Sequence, residues 1–255
     1  MVYRDTLMVF LNKYFSAFTE KAKKDPWCAN GIQLDGKDEI RKIALGVSAN
    51  LEFFQKAVKR EADCLLVHHS LSLQSLNQRI DPLLKDRIKY LLDHGLTLIG
   101  YHFLLDHHPE IGNNALVIKK LGGELVEPFS DEWGWIGELK EKTLVTEILK
   151  NCKKIYDHEP YIFLKGPKKI KRFAVLSGAG APHSAEMVKL IDSKIELLIT
   201  GEVKESTSAF FTEGKVNFAS FGHYNTEKLG VKALGDVIKA QFYVDVEFIE
   251  TPNEL

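Results

Sequence analysis

Short apolar runs alternate with longer amphipathic ones along most of this chain, and four of the apolar runs end in histidines or carboxylates. Residues 42–48, 63–67, 96–101, 173–177, 195–200 and 216–221 are too short for buried helices. Their nearly unbroken apolar character predicts strands covered on both faces. Between them, residues 51–60, 81–94, 183–193 and 203–213 carry helical spacing; in 81–94 it runs through Leu83, Leu84, Ile88, Leu91 and Leu92. Strands that alternate with helices in this way imply an α/β fold built on largely parallel sheet.

The pattern runs twice. Residues 5–22 repeat Leu7, Phe10, Leu11, Tyr14, Phe15 and Phe18 at helical spacing and predict one amphipathic helix stopped by Asp25-Pro26-Trp27. A short strand, Ile32-Gln33-Leu34, follows, and then the first set of strands and helices, which closes with a helix over 115–121. The segment 124–171 is weaker, with strands expected at 133–139 and 161–164 and a helix at 143–152. The basic run Lys168 to Arg172 reads as a solvated loop, with a phosphate patch as the alternative. From Phe173 the plan restarts, and the interval from Phe173 to Leu197 nearly repeats that from Ile43 to Leu65. We therefore expect two similar, intertwined α/β halves with mainly parallel or mixed sheets, divided as 1–123, a connecting segment 124–171, and 172–255, or woven into one domain 1–255. A last strand is expected over 242–249.

Composition narrows the class. The chain has 255 residues, 45% hydrophobic and 27% charged, enough to bury a sizeable core. Its formal net charge is -1, so no bulk basic field points to nucleic acid. Three dispersed cysteines, Cys28, Cys64 and Cys152, with no CxxC, argue against a disulfide framework or a thiolate metal site and fit a reducing, cytoplasmic compartment. No apolar segment is long enough to span a bilayer, and the first 24 residues do not read as a signal peptide.

Open α/β sheets bind ligands beyond the carboxyl ends of their strands. There this chain places His68 and His69, then His102 and Asp106, then Glu202, then His223 and Glu227. Taken singly, each has a plain structural reading: a buried strand histidine, or a His–Glu surface pair four residues apart. Together they exceed what one catalytic zinc needs. They suit two divalent ions of zinc, iron or manganese, sharing a carboxylate and generating a hydroxide nucleophile at neutral pH. The metal site is then expected between the two halves. His107 and His108 read as loop surface. Gly178-Ala179-Gly180 before a helix reads as close packing or an anion site. The GxSxG elbow, the P-loop and a dinucleotide fingerprint are absent.

Several motifs, taken in order, resemble a known family: Asn30-Gly31-Ile32-Gln33-Leu34, Val67-His68-His69, His102-Phe103-Leu104-Leu105-Asp106, Gly112-Asn113-Asn114, Thr200-Gly201-Glu202 and Gly222-His223-Tyr224-Asn225-Thr226-Glu227. It is the Nif-three-like family of dinuclear metal-centre proteins, whose members carry the name GTP cyclohydrolase 1 type 2 homologue. The resemblance implies metal ligands at His68, His69, Asp106, His223 and Glu227, with Asp106 as the bridge, and a toroidal homohexamer. His102 matches a motif histidine and Glu202 a family acidic position. The chain departs from the pattern at Ser70, where the family usually has proline, at Ser206, where a histidine is often seen, and in lacking an arginine after Gly134. The function these observations imply is a metal-dependent hydrolase acting on a small molecule such as a nucleotide, GTP by the family name, with Glu202 or His102 moving the proton. Two other readings stay open: a non-enzymatic metal-binding scaffold or regulatory protein, and a metal-dependent phosphohydrolase of nucleotides or nucleic acid.

Overall fold

The computed structural model describes residues 1–28, 30–71 and 79–253. The polar loop expected after Ser70 falls, over 72–78, outside the described residues. The chain forms two compact units, Met1–Leu105 with Gly230–Pro252, and Asp106–Leu229 with Asn253–Leu255.

In the first unit a five-stranded sheet has the order Asp245–Phe248, Lys42–Ser48, Cys64–His69, Thr97–Gly100, Gly31–Leu34. Its first four strands are parallel and the last is antiparallel. Alternate residues serve opposite faces. Ala44, Leu65, Val67 and Leu98 pack with Phe53, Phe54, Leu84 and Leu91 from the helices Leu51–Lys59 and Pro82–Asp93. Ile43, Leu45, Leu66 and Ile99 are buried too. Both helices start at side-chain caps. Asn50 Oδ1 accepts from Phe53 N at 2.9 Å, and Asp81 Oδ1 accepts from Leu84 N at 2.9 Å with Pro82 behind it. These residues satisfy amides that a helix start leaves without partners.

The second unit holds a six-stranded sheet in the order Glu124–Phe129, Gly134–Leu144, Lys169–Leu176, Leu197–Thr200, Asn217–Ser220, Tyr161–Leu164. The strands from Lys169, Leu197 and Asn217 run parallel; the others pair antiparallel. Phe173, Val175, Leu197 and Ile199 face one core with Ile148, Leu149 and Tyr156 of the helix Val145–Tyr156. Ala174 and Leu198 face another with Met187, Leu190 and Phe211. Phe173 is fully buried. Phe173→Ala should therefore cost about 3–5 kcal/mol, read as a fall in the urea midpoint at unchanged slope. A loss under about 1 kcal/mol would show that this core relaxes around the cavity.

The fold class matches expectation, and four details differ. The strand Asp245–Phe248 pairs with Lys42–Ser48, so residues 230–252 belong with the first unit and residues 106–123 with the second. Residues 5–22 form two helices, Arg4–Tyr14 and Thr19–Ala22, with a tight turn at Ser16–Phe18, because Phe15 leaves helical geometry at ψ 9 and buries its ring against Tyr101, centroids 4.5 Å apart. The basic run lies mostly in the strand Lys169–Leu176, where Arg172 pairs with Glu127 and Glu138 and Lys171 with Glu138. The strand Glu124–Phe129 has no counterpart among the expected elements: it is an edge strand, mostly exposed, with Pro128 in it, so it lacks the apolar run that marks a buried strand.

Candidate metal centre

In the first unit, His68 and His69 are the last two residues of the strand Cys64–His69. Adjacent residues of a strand leave on opposite faces, yet both rings lie against a third, His102. The centroids are 4.9 Å apart for His68 and His69, 4.8 Å for His68 and His102, and 5.3 Å for His69 and His102. Each offers a nitrogen within 4.8 Å of the other two. The opposite ring nitrogens are tied to the scaffold. His68 Nδ1 donates to the Tyr101 carbonyl at 3.0 Å, His69 Nδ1 meets Ser48 Oγ at 3.1 Å, and His102 Nδ1 donates to Asp25 Oδ2 at 3.0 Å. Carbonyl and carboxylate oxygens only accept, so Nδ1 of His68 and His102 carries the proton and Nε2 of the neutral ring keeps its lone pair.

In the second unit, Asp106 lies in the short helix Phe103–His107. Its Oδ1 accepts from Ser177 Oγ at 2.5 Å and from Asn113 Nδ2 at 2.9 Å. The Asn114 amide donates to the carbonyls of Asp106 and Trp133, and its Oδ1 accepts from Ser177 N. Two buried asparagines opening a helix thus fix the carboxylate and its backbone together. His223 begins the four-residue helix His223–Thr226, and Glu227 closes it. Gly222 makes the turn at φ 84. His223 Nδ1 lies 2.5 Å from Glu202 Oε1, and Nε2 lies 3.2 Å from Glu227 Oε2. Burial disfavours the imidazolium, but hydrogen bonds and charge from Glu227 and Glu202 outweigh it and raise the His223 pKa to about 9. A metal that took this nitrogen would displace its proton, so binding is coupled to proton release.

Asp106 and Glu227 are both buried, and each offers an oxygen within 4.8 Å of the other. Two carboxylates so placed repel unless a cation lies with them. The space beside them is kept open by a glycine. A Cβ on Gly178 would lie 2.2 Å from Glu227 Oε1 and 3.1 Å from His223 Nε2. The three imidazoles of the first unit make a donor set that fits a borderline divalent metal; in the second unit Glu227 offers oxygens beside both Asp106 and His223 Nε2.

The structure brings His102 into the imidazole group and places Glu202 on His223. It overturns the surface reading of His107 and His108, which are both buried. His107 stacks on Trp135 at 5.4 Å, and Trp135 Nε1 donates to its carbonyl at 2.7 Å. His108 Nδ1 accepts from the backbone N–H groups of Glu110 and Ile111. Burial pushes the His108 pKa down to about 4. Below the ordinary histidine value of 6.5 the unfolded chain takes a proton that the folded chain refuses. Stability should therefore fall by up to about 3 kcal/mol between about pH 6.5 and 4 from this residue. Melting temperatures across that window should drop less steeply in His108→Asn, whose amide oxygen can accept the same two N–H groups; equal slopes would exclude His108 as the cause. The sequence does not single out Asp25, Ser177 or Gly178 as parts of the site. The paired asparagines are the available signal, since two adjacent amides at a helix start must find buried partners.

Residues 6–254 match the family model Duf34/NIF3 (NGG1p interacting factor 3). The chain is 36% identical to the GTP cyclohydrolase 1 type 2 homolog of Pyrococcus horikoshii, covering 99% of each. It is 35% identical to the protein of that name from Haemophilus influenzae, covering 91% of this chain and 92% of that one. Among solved structures, ybgI, a structural-genomics protein of unknown function, superposes with a TM-score of 0.89 at 28% identity, over 100% of both chains. TTHA1606 of Thermus thermophilus does so at 0.87 and 29%, also over 100% of both. With these matches running along nearly its whole length, this chain belongs to the Duf34/NIF3 family.

Proposed function

We propose that this protein is a dinuclear metal-dependent hydrolase in which His68, His69, Asp106, His223 and Glu227 hold two divalent ions of zinc, iron or manganese, with Asp106 shared. The observation that carries this reading is the pair of buried carboxylates within 4.8 Å, Asp106 and Glu227, with Asp106 oriented by Ser177 and Asn113. A metal pair so held supplies Lewis acidity and a nucleophile from water at neutral pH. The chain's own residues do the rest. Glu202 holds His223 by Nδ1 and, half-exposed, exchanges protons with solvent; His102 presents an Nε2 lone pair beside His68 and His69 and serves as the second proton-handling group.

The shared name of the relatives points to a nucleotide substrate, GTP first. Self-association as a toroidal homohexamer and a cytoplasmic location complete the proposal; among the described residues no helix is long and apolar enough to cross a membrane. The test is elemental analysis of reconstituted protein followed by turnover screening against GTP and other nucleotides. Close to two metal ions per chain, with turnover lost on chelation and restored by metal, is the expected result. Well under one ion per chain after reconstitution would overturn the dinuclear reading. Full metal loading without turnover, together with oligomers that dissociate on chelation, would favour a scaffold.

A further inference from the structure

Asp25 is a buried carboxylate in the first unit with no place in the ligand set above. Its side chain has 0% exposure, and hydrogen-bond donors surround it. Oδ1 accepts from Trp27 N at 2.9 Å and Cys28 N at 3.1 Å. Oδ2 accepts from His102 Nδ1 at 3.0 Å, Phe103 N at 3.3 Å and Asn30 Nδ2 at 3.3 Å. Asn30 Oδ1 in turn accepts from His102 N at 2.9 Å. His102 is therefore gripped by side chain and backbone together, from a turn 77 positions earlier in the chain. The unmet need of a buried charge is met by donors, which is the condition for keeping it ionised.

We propose that Asp25 is a positioning residue that locks His102 in the Nδ1–H tautomer, so that its Nε2 lone pair joins those of His68 and His69 in a three-nitrogen metal-binding group. This rests on the metal-centre reading above and adds to it a third imidazole donor and the carboxylate that sets it; with Nε2 given to a metal, His102 no longer handles protons and that role falls to Glu202 alone. The geometry is that of a metal-bound histidine whose far nitrogen is held by a carboxylate, an arrangement that fixes ring orientation and raises ligand basicity. The two other rings show the same logic with different acceptors, a carbonyl for His68 and a hydroxyl for His69. The carboxylate is the strongest of the three acceptors, and it falls to the one histidine that lies outside a strand.

Asp25→Ala tests the lock, because it takes the acceptor away from His102 Nδ1 in every orientation, whereas an asparagine could turn its carbonyl oxygen to the same three donors. Without that acceptor His102 goes to the tautomer with Nδ1 bare and Nε2 protonated. Long-range 15N–1H NMR of the metal-free full chain reads the tautomer without reference to metal or activity. The wild type should show His102 protonated at Nδ1, and Asp25→Ala should show it at Nε2. Titration with Co2+, followed by its visible spectrum, should then show affinity reduced about 10–100-fold, as in His102→Ala. A wild-type His102 protonated at Nε2 would overturn the lock, and that result requires no variant to fold. An unchanged tautomer in Asp25→Ala would overturn it as well. Co2+ affinity within about twofold of wild type, in a folded variant whose tautomer has inverted, would overturn the role of His102 as a nitrogen donor. If wild-type protein took up no Co2+, the metal-centre reading would fail, and the nitrogen-donor role with it, while the NMR result still decided the lock.

Discussion

Asp106→Ala protein, purified and reconstituted beside wild type, should carry less than one metal ion per chain and show no measurable turnover. Removing an outer partner of a metal ligand costs about 10–100-fold in affinity, and removing the ligand that the proposal makes shared should exceed that. Stability of the metal-free chain should change much less, because two effects oppose. Ser177 Oγ and Asn113 Nδ2 lose their common acceptor, at about 1–3 kcal/mol for a buried donor left unsatisfied. The repulsion between Asp106 and Glu227 disappears at the same time. Asp106→Asn separates the two effects, since an amide oxygen can keep both donors while the charge is gone. It should melt at or above the wild-type temperature without metal and still bind metal poorly. Retention of two ions per chain by Asp106→Ala would remove Asp106 from the proposed centre.

Gly178→Ala should damage stability and metal binding together. Gly178 has φ +62, and the added Cβ would lie 2.2 Å from Glu227 Oε1 and 3.1 Å from His223 Nε2. The backbone penalty is about 1–3 kcal/mol for a residue held in the left-handed region. The collision adds displacement of a buried carboxylate, so metal affinity should fall about 10–100-fold. Gly122→Ala is the matched control: φ is +78 and nothing lies within 4 Å of its added Cβ. It should lose stability by the backbone penalty and bind metal normally. Equal metal affinity in the two variants would show that Glu227 moves aside without consequence.

Part of this site is legible in the amino-acid sequence. His68, His69, Glu202 and His223 each follow an apolar run, and the rule that α/β sheets bind at the carboxyl ends of their strands turns that into a shared location for the residues of one sheet. The chemistry of imidazole and carboxylate then suits such a location to a borderline divalent metal. The surface reading of His107 and His108 failed because a polar pair beside Pro109 resembles a turn, and only the Trp135 side chain and the backbone N–H groups of Glu110 and Ile111 show why they are buried.

By itself the sequence determined the α/β class, the order of most strands and helices, and the residue types at the strand ends, because hydrophobic periodicity and turn chemistry act over a few neighbouring positions. Only the tertiary structure decided the partners. The Asp25–His102 and Asp106–Ser177 hydrogen bonds span 77 and 71 positions, and no local pattern records such distances. The same holds for the strand Asp245–Phe248, which completes the first sheet beside Lys42–Ser48. Its apolar pattern predicts that it is a strand; which edge it joins depends on where the folded chain leaves unpaired N–H and C=O groups. The tautomer of each histidine is set in the same way, by the acceptor that folding places at Nδ1.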